Sequence, residues 1–222
     1  MGKKTLISEV FYEEPHVLHS VLYNQVSVDE AVIHNYYQAF EACSPGKPYA
    51  VITDSTTTHM PLVSREGYAA ASDLRAYPNF KAHAFVVTQT GIRLMVNFFL
   101  RTFPISIPAK IFDNVSNAKH WARYEVLKAS PTFNFQVLAL VTGKVQGVFY
   151  RKTCYAKATE TGIKGFVKNL PDGNVQVMAQ GTGKSLVSLI NWCKKGPAKA
   201  RVETISFVFV PVENMYSDFS VR

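Results

Sequence analysis

The stretch that decides the fold of the C-terminal half is Gly143-Lys-Val-Gln-Gly-Val-Phe-Tyr-Arg151. It follows the apolar run 135–142, which predicts a strand, and it leads into residues 151–161, which predict a helix. Gly143 and Gly147 permit backbone angles that other residues avoid, so successive amides can turn inward around an anion. The following helix adds its free N–H groups and positive dipole end, and Arg151 adds a planar guanidinium. The segment therefore predicts an anion-binding loop between a strand and a helix.

The elements after this loop predict a ferredoxin-like βαββαβ sandwich, an α+β fold with one sheet and two helices. Pro171-Asp172-Gly173 predicts a tight turn, because proline fixes φ and Asp-Gly accepts positive φ. The strands are expected at residues 164–168, 174–179 and 202–210, with an edge strand at 219–221 and a second helix at 182–194.

A second motif, Gly165-Phe-Val-Lys-Asn169, closes the predicted strand 164–168. In the βαββαβ order that strand can end near the anion-binding loop, so Asn169 can face it. The amide of Asn169 can both donate and accept hydrogen bonds, as required to orient a water molecule beside a bound phosphoryl group.

Together the two motifs closely resemble the signatures of the acylphosphatase family, over about residues 133–222. Tyr150 stands where that family usually has Phe. The resemblance implies hydrolysis of a small-molecule acyl phosphate to a carboxylate and inorganic phosphate. Under it, Arg151 and Asn169 are the catalytic pair, and no metal or other cofactor is required. The phosphate-binding amides would be those of Gln146, Gly147, Val148, Phe149, Tyr150 and Arg151. Since neither motif contains an obvious base, the substrate itself is the expected base.

Residues 1–128 alternate strand and helix signals, which predicts an α/β domain with a mixed sheet and helices against it. The order β-β-α-β-α-β-α-β-α resembles STAS-like domains, the type found in anti-sigma-factor antagonists. The role of this domain stays open, with a protein partner as one expectation. Residues 129–132 form the expected linker to the domain at 133–222.

The net charge of +8 is concentrated in the second half. Residues 131–222 carry 12 basic and 5 acidic side chains, a balance of +7, whereas residues 1–130 carry 12 and 11, a balance of +1. A positive domain attracts anionic metabolites or nucleic acid. No interleaving of aromatic and basic residues on a surface strand supports nucleic acid, so we expect no nucleic-acid partner.

The apolar runs are too short for a membrane span, and no signal peptide is recognisable, so we expect a cytoplasmic protein without membrane association. The three cysteines, Cys43, Cys154 and Cys193, fit reduced structural thiols. His59, His83 and His120 lack metal-like spacing. Asp54-Ser55-Thr56 favours a turn after a strand over a phosphorylation site.

One alternative to an enzyme remains at this point. The same anion-binding loop could serve a sensor that binds a phosphorylated ligand without turning it over, and reports through the first domain. Intact Arg151 and Asn169 favour the enzyme, because a binding protein would have less need of Asn169.

Overall fold

The computed structural model describes residues 2–24, 27–59, 61–212 and 215–222. The chain divides into two compact units, Met1–Val126 and Leu127–Arg222. Each unit is built around its own sheet.

The first unit contains an ordered series of strands and helices. They are β1 (Gly2–Lys4), β2 (Ser8–Glu14), β3 (Val17–Leu22), β4 (Ser27–Val28), α1 (Glu30–Cys43), β5 (Tyr49–Asp54), β6 (Leu62–Val63), α2 (Arg65–Ser72), β7 (Phe80–Val86), α3 (Thr90–Thr102), β8 (Ala109–Phe112) and α4 (Val115–Ala129), whose last turn falls in the second unit.

A mixed sheet runs through the first unit in the order β1-β2-β3-β5-β7-β8. The β1/β2 and β2/β3 pairs are antiparallel, and the pairs from β3 to β8 are parallel. This confirms the predicted α/β fold with a mixed sheet. Three short strands were absent from the predicted order: β1, and the parallel pair β4/β6. Strands of two or three residues are too short to show a period of two.

The start of α1 shows a competition between two capping residues. Ser27, three residues before Glu30, has the spacing of a capping box, but Ser27 lies in β4. Asp29 is the N-cap instead, and its side chain accepts from the Val32 amide at 2.9 Å. Because Asp29 also fits the residue preferences of an N-cap, the sequence contained two competing caps, and the strand decided between them.

A buried hydrogen-bond network lies between α1 and the sheet. The Tyr36 hydroxyl donates to Ser20 Oγ at 2.9 Å and lies 3.0 Å from Thr53 Oγ1, which is 2.7 Å from His83 Nε2. Burial lowers the pKa of His83 to about 3. The imidazole is therefore neutral in the folded protein at neutral pH, as expected for a structural histidine.

The second unit continues with β9 (Asn134–Lys144), α5 (Tyr150–Glu160), β10 (Lys164–Asn169), β11 (Val175–Thr182), α6 (Gly183–Cys193), β12 (Arg201–Phe209) and β13 (Phe219–Val221). Its sheet has the order β12-β9-β11-β10-β13, with β13 parallel to β10 and the other pairs antiparallel. The predicted βαββαβ order and the edge strand are confirmed.

The predicted linker, residues 129–132, is fastened to the start of α6. Its first residue, Ala129, is the last residue of α4, and its second, Ser130, is only 8% exposed. The Pro131 carbonyl accepts a hydrogen bond from the Lys184 amide at 3.1 Å. Gly183 fits beneath it, since an added Cβ would stand 2.4 Å from the Leu127 and Ser130 carbonyl oxygens. The segment is thus packed into the second unit.

The sheet topology brings several strand ends to one edge. The strands β9 and β10 are each antiparallel to β11, so they run parallel to each other, and β13 runs the same way. The carboxyl ends of these strands therefore meet at one edge of the sheet, which is where ligands bind in many sheet proteins.

Gly165 lies in β10 at a position where a side chain would meet the backbone of β11. Its φ is +132°, and an added Cβ would stand 2.1 Å from the Met178 carbonyl oxygen. Gly162, three residues earlier, also has positive φ (+67°), but an added Cβ there would have no neighbour within 4 Å.

We predict that Gly165→Ala destabilises the second unit by about 2–4 kcal/mol, because the methyl group forces β10 and β11 apart in addition to straining φ. Gly162→Ala is the matched control and should cost about 1 kcal/mol, from backbone conformation alone. Urea unfolding of both variants measures the difference. Equal losses would show that the close strand approach has no energetic effect.

We also predict that His83 makes the first unit less stable in acid. The unfolded imidazole takes up a proton as pH falls below its ordinary pKa, while the folded one stays neutral down to about pH 3. Stability should therefore fall by roughly 1.4 kcal/mol per pH unit between about pH 6 and 4 from this group. His83→Gln, followed by urea unfolding across that range, should remove this part of the slope. An unchanged slope would contradict the assignment.

Candidate active site

The loop between β9 and α5 has the backbone conformation that its glycines suggested. Gly147 has φ +71° and Phe149, a residue with a side chain, has φ +64°. Gly143 has φ +115°, and an added Cβ there would stand 2.3 Å from the Arg201 carbonyl oxygen. The positive angles at Gly147 and Phe149 turn the chain into the first turn of α5.

The backbone amides of this loop lack acceptors in the part of the chain that the structure describes. Among the hydrogen bonds of the described residues, the amides of residues 146–152 have no acceptor. The first bond at the start of α5 runs from the Thr153 amide to the Phe149 carbonyl at 3.1 Å, and the Phe149 side chain offers no cap. A run of unpaired N–H groups at a helix N-terminus attracts anions.

Arg151 lies in the first turn of α5 and is held at the sheet edge. Its Nη1 donates to the Arg222 carbonyl oxygen at 2.9 Å. Arg222 is itself fixed, because its amide donates to the Val167 carbonyl at 2.9 Å and its guanidinium lies 4.0 Å from the centre of the Phe166 ring. One edge of the Arg151 guanidinium is thus anchored, and its other N–H groups can serve a ligand.

Asn169, the last residue of β10, lines the same cavity as Arg151. Its Oδ1 is buried and has no hydrogen-bond partner among the described residues. A buried amide oxygen without a donor costs free energy, which a hydrogen-bond donor in the cavity would recover. Asn169 thus brings an acceptor that needs a donor to the end of β10 that lines this cavity.

Gln146 was predicted as a phosphate-binding residue through its backbone amide, and its side chain has a different role. Its Nε2 donates to the carbonyl oxygens of Leu170 and Asn174, at 2.8 and 2.9 Å. These two carbonyls flank the turn between β10 and β11. The side chain therefore ties the anion loop to the turn that begins at Asn169.

Two other loop side chains point into the core. Tyr150 is 1% exposed, and its hydroxyl donates to the Cys193 carbonyl of α6 at 2.9 Å, while Val148 is 5% exposed. Both side chains anchor the loop, so only their amides are available to a ligand. Phe149, in contrast, is 65% exposed.

The cavity at the sheet edge has a volume of about 390 Å³. It brings together Gln146, Gly147, Phe149, Tyr150, Arg151 and Asn169 of the predicted site. The sequence reasoning missed four further lining residues, Val145, Lys152, Tyr155 and Val221. The spacing of Arg151 and Tyr155, four residues apart on α5, could have indicated Tyr155. Val221 could not be found in this way, since only the β10/β13 pairing brings it here.

The other sequence candidates have structural roles. Thr56 donates to Asp54 Oδ1 from its amide at 3.0 Å and from its hydroxyl at 2.7 Å, which confirms the predicted turn. Cys43, Cys154 and Cys193 are free thiols. No group of three or more potential metal ligands occurs in the part of the chain that the structure describes. Within that part, no helix combines the length and apolar character needed to span a membrane.

Comparison with known proteins assigns each half of the chain to a family. The acylphosphatase family model matches residues 137–221, and a family described as a domain of unknown function (DUF7793) matches residues 11–124. An acylphosphatase from Methylococcus capsulatus is 42% identical over 86 residues, which are 39% of this chain and 94% of that protein.

Two solved structures are also similar. An acylphosphatase from Coxiella burnetii is 39% identical, with a TM-score of 0.39, over 42% of this chain and 97% of that one. An uncharacterised protein with a SpoIIAA-like fold from Shewanella loihica is 14% identical, with a TM-score of 0.39, over 55% of this chain and 98% of that one.

The sequence match to the bacterial acylphosphatase spans nearly the whole of that protein, and the family model spans both motifs that form the cavity. The predicted acylphosphatase domain is confirmed. The chain therefore belongs to the acylphosphatase family through residues 137–221 and to the DUF7793 family through residues 11–124.

Proposed function

We propose that the second unit hydrolyses acyl phosphates, with Arg151 and Asn169 as its catalytic pair. One observation carries the proposal: free backbone amides, an anchored guanidinium and a buried unpaired amide oxygen line one cavity. The first two groups suit a phosphoryl anion, and the third suits the water that attacks it.

The reaction follows from this placement. The amides of residues 146–151 and the Arg151 guanidinium bind the phosphoryl oxygens and stabilise the charge that develops on them. Asn169 Oδ1 accepts a hydrogen bond from a water molecule. This bond directs a lone pair of the water oxygen at phosphorus. The new P–O bond forms as the bond from phosphorus to the carboxyl oxygen breaks. Carboxylate leaves, and a phosphoryl oxygen takes the proton of the water, giving inorganic phosphate.

We propose that this reaction needs no metal ion. A carboxylate is a good leaving group, so catalysis requires mainly positioning and charge stabilisation. The cations of the second unit supply that charge, since residues 131–222 carry a balance of +7 from 12 basic and 5 acidic side chains. The same field would steer an anionic substrate towards the cavity.

The alternative, a sensor that binds a phosphorylated ligand, uses the same loop and Arg151. It gives no role to the buried Asn169 Oδ1, which the enzyme uses to orient water. We therefore favour the enzyme. For its location we propose the cytoplasm, with which the free cysteines are consistent.

We predict that the full-length protein releases phosphate from benzoyl phosphate in the presence of EDTA. Arg151→Ala should lower kcat/KM by roughly 10³-fold or more, and Asn169→Ala should lower kcat by roughly 10²–10³-fold with a smaller change in KM. The control is Arg201→Ala, since Arg201 is exposed and does not line the cavity, and its activity should stay within about twofold of the wild type.

Three outcomes would contradict this account. A folded wild type without turnover would favour the sensor. Loss of activity with EDTA and its return with a divalent cation would show a metal requirement. Full activity in Asn169→Ala would remove the proposed role of its side-chain oxygen.

We further predict that Gln146 positions Asn169. Gln146→Ala should lower kcat about tenfold, because the loop loses its two hydrogen bonds to the turn after β10. In the Asn169→Ala background the same substitution should have little further effect, since there is no side-chain oxygen left to misplace. Steady-state kinetics of the two single variants and the double variant test this. Independent, multiplicative losses would contradict the coupling.

A further inference from the structure

The first unit contains an apolar cavity of about 110 Å³, which takes no part in the proposed chemistry. It lies between one face of the sheet and the three helices α1, α2 and α3. Among its lining residues are Ile33 on α1, Tyr68 on α2, Phe85 on β7, and Ile92 and Val96 on α3.

The lining of this cavity is mostly apolar, and several of its polar groups are hydrogen-bonded within the protein. Thr53 on the sheet bonds to Tyr36 of α1 and to His83 of β7, and the Ser55 hydroxyl donates to the Val86 carbonyl at 2.9 Å. Burial lowers the pKa of His83 to about 3, so this wall carries no charge at neutral pH. A water molecule needs two to four polar partners, which these groups already supply to each other.

Two clusters of buried hydrophobic residues meet at this cavity. One is built around Phe40, Tyr49 and Phe80, and the other around Val87, Ile92 and Val96. Residues of both clusters line the cavity, among them Tyr37 from the first and Val96 from the second. Protein interiors are normally close-packed, with few voids larger than a water molecule, so a space of this size between two clusters is unusual.

We propose that this cavity is a binding site for a small uncharged apolar molecule, of the size of a single six-membered ring or a short alkyl chain. Its volume is near that of dry cavities, roughly 150 Å³, which take up benzene in other proteins. The polar groups that line the cavity are neutral and already hydrogen-bonded within the protein. They disfavour ions, because an unpaired charge is costly to bury. Phosphorylated molecules are thereby excluded, and the site is independent of the one in the second unit.

Benzene is a suitable probe, and methyl NMR of the full-length protein reports where it binds. We expect benzene to shift the methyl resonances of Ile92 and Met95, which line the cavity, and to leave that of Met178 in β11 unchanged. Benzene at ten times its Kd should raise the melting temperature of the first unit by roughly 3–6 °C. Benzoate, a ring of the same size with a charge, should bind at least tenfold more weakly.

Two cavity-filling variants, Val96→Phe and Val63→Phe, should each weaken benzene binding at least tenfold. Val63 is partly exposed, so its variant is expected to fold even if the buried Val96 position does not accept the larger ring. Leu94→Phe is the matched control, since Leu94 lies on α3 but is 66% exposed and does not line the cavity. It should bind benzene like the wild type.

The proposal is overturned if benzene shifts no methyl resonance of the folded wild type, or if Met178 shifts as much as Ile92. It is also overturned if folded Val63→Phe binds benzene as the wild type does, or if benzoate binds equally well.

Discussion

The backbone N–H groups of residues 146–152 are the constraint around which the second unit is organised. They have no acceptor among the described residues, and Gly147 and Phe149 within this segment both adopt positive φ before α5 begins. Holding a residue with a side chain at φ +64° costs free energy, which the surrounding packing has to supply. Tyr150 and Val148 supply it by burying their side chains on either side of Phe149. An anion that accepts hydrogen bonds from these amides stabilises a loop that is otherwise strained.

The sheet decides what faces this loop. Because β9, β10 and β13 run in the same direction, their carboxyl ends bring the loop, Asn169 and the Arg222 carbonyl to one edge. Asn169 contributes a buried oxygen in need of a donor, and the Arg222 carbonyl orients Arg151. Gln146 joins the loop to the turn after Asn169, so the proposed anion site and the proposed water site share one support. The cavity of the first unit differs from that of the second in its chemistry. Its lining is apolar, with neutral, hydrogen-bonded polar groups, which suits the uncharged ligand that we propose.

The sequence predicted those parts of the fold and the site that depend on neighbouring residues. Glycine positions, the Pro171-Asp172-Gly173 turn and the alternation of elements are local signals, and the structure confirms the βαββαβ order that they indicated. The partners of Gln146 and Arg151 could not be predicted, because their acceptors lie 24 to 71 residues away and meet them only through strand pairing. The choice of Asp29 over Ser27 as a cap likewise depended on β4, a strand of two residues. The apolar cavity of the first unit has no sequence signal, since its lining residues are the ones expected in any core.

The most direct test of the central claim is a titration of the full-length protein with inorganic phosphate, followed by amide ¹H–¹⁵N NMR. The account predicts that the amides of residues 146–152 and the Asn169 side chain shift together, with one dissociation constant, and that Arg151→Ala loses these shifts at the same phosphate concentration. Shifts confined to the lysines around residues 194–199, or an unchanged response in Arg151→Ala, would contradict the convergence of loop, arginine and asparagine on one phosphoryl group.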